Sequence, residues 1–229
     1  MRSAVIAARE RQVLYDTKWK KFLSRARLFR HIPFAEFAFG AGSMAVGGVH
    51  QDSDFDVLVG ARRGRIWSTR FFAVLAFGMF GWRRKKLTHH EAASDKICLN
   101  HFVTERSFAL SPPHTVSWRT LYARLVPLYG TAETVQAFFD ANASWMGERR
   151  IYGDDLRHEY LAPSRLKRMM ERMLAGRTGD IVEWVVKSVQ SALIRRNLHS
   201  PELGNAPRIV YTDDELEFHP DTRRAYREI

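Results

Sequence analysis

The sequence predicts an α+β fold, on three observations. Short, mostly apolar runs at Phe34 to Phe39, Phe55 to Val59 and Lys96 to Val103 have the length and composition of strands. Helical periodicity dominates from residue 111 onward. The chain has 229 residues, of which 45% are hydrophobic, enough to bury a sizeable core in one domain or in a core with a helical annex.

Residues 3 to about 30 read as a helix, with Val5, Val13, Leu14, Trp19, Phe22, Leu23 and Leu28 forming an interrupted apolar stripe. The rest of that helix is basic. A solvated amphipathic helix covering the sheet is the ordinary reading, and a face tracking a phosphate backbone is the alternative. After the first two strands, Gly60 to Arg65 is a turn, and Ile66 to Trp82 is a strongly apolar helix with basic ends. The uninterrupted apolar stretch from Phe71 to Trp82 spans about 18 Å as a helix, against roughly 30 Å of hydrocarbon, so it is too short to cross a bilayer. It reads as a buried helix, with a membrane-surface helix as its rival.

Residues 87 to 95 look like a loop, in which His89 and His90 lack partners at metal-ligand spacing. Ser111-Pro112-Pro113 marks a boundary. Beyond it Thr115 to Tyr129, Ala132 to Trp145, Pro163 to Leu174 and Asp180 to Asn197 all carry helical spacing. The last segment starts strand-like at Arg208 and turns acidic at Asp213, Asp214, Glu215 and Glu217, a run read as a solvated turn before a metal site. The organisation expected is a core with its N-terminal helix over 1–110, a helical annex over 111–200, and a tail over 201–229 docking on the annex.

The formal net charge of +11 points to polyanionic partners: nucleic acid, nucleotides or a membrane surface. The single cysteine, Cys98, excludes an internal disulfide and a cysteine-rich zinc site. With no apolar leader at the N-terminus, a cytoplasmic location is expected.

The chemistry concentrates in Gly40 to Val59. Alternation along a strand puts Asp54 and Asp56 on one face, a seat for a hard divalent cation such as Mg²⁺ or Mn²⁺. Upstream, Gly42-Ser43 makes a sharp turn with backbone N–H groups and a hydroxyl able to cradle a phosphate. Either element alone is weak. The joint pattern, Gly-Ser, ten intervening residues and Asp-x-Asp on an apolar strand, is restrictive.

That pattern resembles the signature of the DNA polymerase β-like nucleotidyltransferase superfamily, in particular its minimal nucleotidyltransferases. A looser likeness, to uncharacterised microbial nucleotidyltransferase-domain proteins, extends through Pro127-Leu128-Tyr129 and Phe218-His219-Pro220. The resemblance implies a small mixed β-sheet flanked by helices. It implies that Gly42 and Ser43 contact the terminal phosphates of a nucleoside triphosphate, ATP first among them, while Asp54 and Asp56 hold the metal. It also implies a third carboxylate on the next strand. No acid lies within Ile97 to Val103, so Asn100 takes that place, with Asp95 and Glu105 as flanking substitutes. Asparagine offers a carbonyl oxygen to a metal but cannot act as a base. By alternation, if Asn100 faces the metal, His101 faces away.

The activity expected is Mg²⁺-dependent transfer of a nucleoside monophosphate to a hydroxyl, with release of pyrophosphate. RNA or a tRNA end, a protein side chain and a small molecule are the candidate acceptors, and Arg62, Arg63, Arg83 or Lys85 are candidate phosphate contacts. A nucleotide- or RNA-binding module of the same fold, without full catalytic power, is the alternative reading.

Overall fold

A computed structural model describes residues 2–84, 93–112, 114–146, 161–198 and 208–219. Its centre is a six-stranded mixed sheet in the order β4-β1-β2-β3-β6-β5. The strands are β1 (Ala35–Gly40), β2 (Phe55–Ala61), β3 (Ile97–Val103), β4 (Val126–Gly130), β5 (Arg208–Tyr211) and β6 (Glu215–His219). Only β2 and β3 run parallel; the other neighbours are antiparallel. The described residues also form seven α-helices: α1 (Arg2–Ala26), α2 (Gly42–Val46), α3 (Ile66–Met79), α4 (Val116–Tyr122), α5 (Ala132–Met146), α6 (Arg165–Met173) and α7 (Arg177–Leu198). The α+β class is as the sequence predicts, and among the described residues no helix is long and apolar enough to cross a membrane.

Both faces of the sheet are covered, which is why its central strands read as almost continuous apolar runs. On one face Ala38, Val57 and Val59 pack with Phe22 and Phe29 from the N-terminal segment and with Trp67 and Phe77 of α3. On the other, Phe37, Phe39 and Leu58 pack with Trp118 and Tyr122 of α4 and Phe138 and Phe139 of α5. α3 connects the two parallel strands, a job that needs a crossover helix.

The chain departs from its periodicity in two places. Residues up to Tyr129, helical by spacing, break after α4, and Val126–Gly130 becomes the edge strand β4 against β1. Pro127 explains the break, because proline is excluded from a helix interior and tolerated at a sheet edge. The tail, expected to dock on the helical annex, instead adds a hairpin to the sheet through β6 against β3. Its acids divide: Asp213 and Asp214 lie in the hairpin turn, with Asp213 exposed, whereas Glu215 and Glu217 belong to β6. Asp213 accepts from Trp67 Nε1 at 3.0 Å and Lys187 Nζ at 2.7 Å, and Glu217, fully buried, accepts from Arg208 Nε at 2.5 Å.

The basic face of α1 also has an internal partner. Asp95 sits at φ +63°, a conformation that Asp and Asn tolerate better than most residues. Its carboxylate accepts from Lys18 Nζ at 3.0 Å and Lys21 Nζ at 2.6 Å, and its carbonyl accepts from Arg25. Burial opposes ionisation of that carboxyl, but the two lysines outweigh it and hold its pKa below the ordinary value of 3.8. A depressed acid contributes stability above its unfolded pKa, and that contribution is lost as pH falls through the folded value. Replacing Asp95 with Asn keeps the backbone conformation and removes the charge. It is expected to cost about 2 kcal/mol at neutral pH. In denaturant titrations the gap between Asp95→Asn and wild type should close as pH drops below the ordinary Asp range.

Candidate functional site

The site sits where β1 ends and β2 and β3 begin. Gly40 pairs with Val57, and Ala41 N–H then donates to Asp56 O at 2.9 Å, so the chain leaves β1 still hydrogen-bonded to the acid-bearing strand. The next residue, Gly42, turns at φ +64° into the one-turn helix α2. Its Cα lies directly against Asp56: a Cβ there would overlap the Oδ2 oxygen. Glycine at 42 is therefore required twice, for its left-handed backbone and for the approach of a carboxylate. Ser43 follows at half-buried exposure. The glycine-serine bend and the paired acids, eleven or more residues apart in sequence, occupy one place.

Asp54 precedes β2 and Asp56 lies inside it; both are half-buried. Asn100 reaches the pair from β3, donating from Nδ2 to Asp56 Oδ1 at 3.3 Å. The flanking acids do not substitute for it. Asp95 is held by α1, and Glu105 lies exposed in the 3-10 turn beyond the far end of β3.

Two further residues join the site. Asp56 pairs in register with Cys98, whose buried sulfur belongs to a cluster with Asp54 and Asp56 in which the donor atoms lie within 4.8 Å of one another. Burial, reinforced by the charges of Asp56 and Asp54, pushes the Cys98 thiol well above its ordinary pKa, so it stands as a neutral S–H. A neutral thiol is a poor partner for a hard cation. Cys98 is two residues before Asn100, so strand alternation alone placed it on the same side.

The other is Arg84. Residues 82–84 run beside the start of β3, with Ile97 N donating to Trp82 O at 2.6 Å and Arg84 N to Ile97 O at 2.9 Å. From there the guanidinium donates to Asp54 Oδ2 at 2.7 Å. Burial would lower the Arg84 pKa, but its acidic neighbours, Asp54 first and Asp56 after it, help to outweigh this and leave it raised. Of the basic candidates, Arg62 belongs to the opposite end of β2, near Glu36 at 3.8 Å and Glu171 at 3.4 Å. Arg63 is exposed in the turn after β2, Arg83 lies at the bridge beside Ile97, and Lys85, His89 and His90 fall outside the described residues.

His101 does not face away from Asn100. The β2–β3 register slips by one residue between Asp56↔Cys98 and Leu58↔His101, which is a bulge in β3. Across it alternation is suspended. Asn100 reaches Asp56, and His101 Nδ1 meets Tyr122 Oη of α4 at 3.4 Å, so both lie on the side that α4 covers. His101 Nε2 is 3.2 Å from Glu215, which ties the tail hairpin to this face. The bulge thus separates a site half of β3, Cys98 and Asn100, from a structural half that begins at His101.

A cavity of about 570 Å³ lies at the other end of the sheet, lined in part by Glu36, Arg62, Tyr129, Lys167 and Glu171. It does not include Asp54 or Asp56. Comparison with protein-family models, with curated proteins and with solved structures gives no match for this chain.

Gly42→Ala has a built-in control. Gly47 also has positive φ, +85°, but a Cβ there meets nothing within 4 Å. Alanine at 47 should cost about 1 kcal/mol, the price of the left-handed backbone alone. Alanine at 42 should cost about 1–3 kcal/mol more, because Asp56 must move. Thermal unfolding of the two variants measures the difference.

Proposed function

We propose that this protein is a Mg²⁺-dependent nucleotidyltransferase, moving a nucleoside monophosphate from an NTP to an acceptor hydroxyl with release of pyrophosphate. The observation that carries the reading is the packing of Gly42 against the Asp56 carboxylate, which makes the glycine-serine bend and the Asp54/Asp56 pair one site. The donor set suits a hard divalent cation: two half-buried carboxylates converge, and Asn100 adds an amide oxygen on the same side once its amide turns from Asp56.

Asp54 and Asp56 would hold the metal, which when bound neutralises charge on the triphosphate and the leaving pyrophosphate. The Gly42-Ser43 bend would orient the phosphate tail across the acids through its backbone N–H groups and the Ser43 hydroxyl. Arg84 already supplies positive charge at Asp54, 2.7 Å away. It would exchange that carboxylate for a phosphate oxygen as the nucleotide arrives, since a guanidinium fits either partner. The proton of the attacking hydroxyl has no carboxylate base on β3, because Asn100 cannot accept it. ATP is the first nucleotide to try; RNA or a tRNA end, suited by the basic chain, is the first acceptor, ahead of a protein side chain or a small molecule.

One observation favours a second reading, a nucleotide-binding module with reduced chemistry. Asn100 donates to Asp56 where the resemblance implies a third acid. The two readings separate in one assay series. Asp54→Asn should lower Mg²⁺-dependent transfer of labelled NMP to an RNA pool by about 100-fold or more, with thermal stability kept. An unchanged rate removes the assignment. Calorimetric binding of Mg·ATP to the wild type, with no product from any NTP, selects the binding module instead.

A further inference from the structure

Helix α7 is built inside out. Its inward face is the more polar one: Glu183 accepts from Trp67 N at 2.9 Å and Ser68 N at 2.8 Å, and Gln190 Nε2 donates to Trp67 O at 2.9 Å. Its outward face carries Ile181 (64% exposed), Trp184 (68%), Val185 (45%), Val189 (56%) and Leu193 (53%). These recur at spacings of three, four, eight and twelve from Ile181, with only exposed Ser188 and Ala192 between them. That is one continuous helical face with no charge until Arg195 and Arg196. A helix turned to water by its solvent side would have the opposite distribution.

The preceding helix also exposes apolar side chains. Leu166, Met169 and Met173 of α6 are each about half or more exposed, beside exposed Arg165, Arg168 and Arg172. Of the acids of the two helices, Glu171 and Glu183 are turned inward, and the exposed Asp180 is paired with an arginine. Glu171 accepts from Phe34 N at 2.7 Å and pairs with Lys167, Asp180 pairs with Arg65 at 2.7 Å, and Glu183 serves the start of α3. Apart from the paired Asp180, what α6 and α7 present outward is apolar and positive.

We propose that the outer face of α6 and α7 is a docking surface for an anionic lipid bilayer, lying on the membrane with Trp184 at the headgroup level. The chemistry is that of interfacial helices: aliphatic side chains entering the acyl boundary, one amphipathic tryptophan, and arginines at the rim facing anionic headgroups. Charge selects this occupant over a second copy, because pairing two such faces brings arginine rims together. A single aromatic on the stripe argues against stacked nucleic-acid bases, which need several. The face is independent of the Asp54/Asp56 site.

The test is co-sedimentation of the full chain with vesicles of phosphatidylcholine alone or with about 30% phosphatidylglycerol. The wild type should partition at least about tenfold better into the anionic vesicles, and salt of about 0.5 M should reverse it. The double variant Trp184→Asp/Val189→Asp, both exposed positions, should lose about tenfold or more of that partition. Trp184→Phe should still bind while losing the part of its emission quenched by brominated acyl chains, a readout that stands even if the double variant unfolds. Absence of anionic partition overturns the proposal, as does equal binding by a folded double variant or quenching unaffected by Trp184→Phe. A dimer seen by light scattering that the double variant dissolves, without vesicle binding, overturns it and gives the face to a second copy.

Discussion

The parallel pairing of β2 with β3 is the contact on which the candidate site depends. It is the one parallel pair in the sheet, closed by α3. Because both strands start at the same end, their first residues open onto the same rim, and the side chains of Asp54, Asp56, Cys98 and Asn100 meet there. Farther along, both strands are covered by apolar side chains on both faces. β1 arrives antiparallel, so its exit bend, Gly42-Ser43, falls on that rim too.

Within the rim, the charge of the two acids is partly offset. Arg84 stands against Asp54, Asn100 donates to Asp56, and the Cys98 thiol stays protonated beside them. Two carboxylates brought this close repel, and each of these neighbours reduces the cost of holding both half-buried. The arrangement is stable as it stands and still presents oxygen atoms toward a cation. A site of that kind is preorganised: its acids are positioned by a fixed strand and a fixed bend.

Much of this was legible in the sequence, and the reasons are local. The apolar runs announced β1 to β3, and period-two alternation placed Asp54 and Asp56 together before any coordinate was known. The same alternation reaches Cys98, two residues from Asn100. It failed at His101, because a bulge suspends alternation and leaves no signature in residue types. The partners of Asp95 were equally hidden: Lys18, Lys21 and Arg25 are about seventy residues away, and nothing in a basic helix says which acid it will meet. The strand at Val126–Gly130 and the tail hairpin are tertiary decisions, made because the sheet had edges to offer. On α7 the helical period was visible, but which side faces inward was not: Ile194 joins the core beside Glu183 and Gln190, while Trp184 and Val189 stay outside.

The margins of the sheet have a consequence for assembly. One border is β4, five residues long with Pro127 in it; the other is β5, four residues long and beginning with an arginine already bound to Glu217 and to the carbonyls of Ser111 and Pro112. Short, proline-bearing or charged borders are poor templates for recruiting a foreign strand. Growth by lateral β-augmentation is thereby disfavoured at both borders of the described sheet, which leaves the helices as the better surface for association.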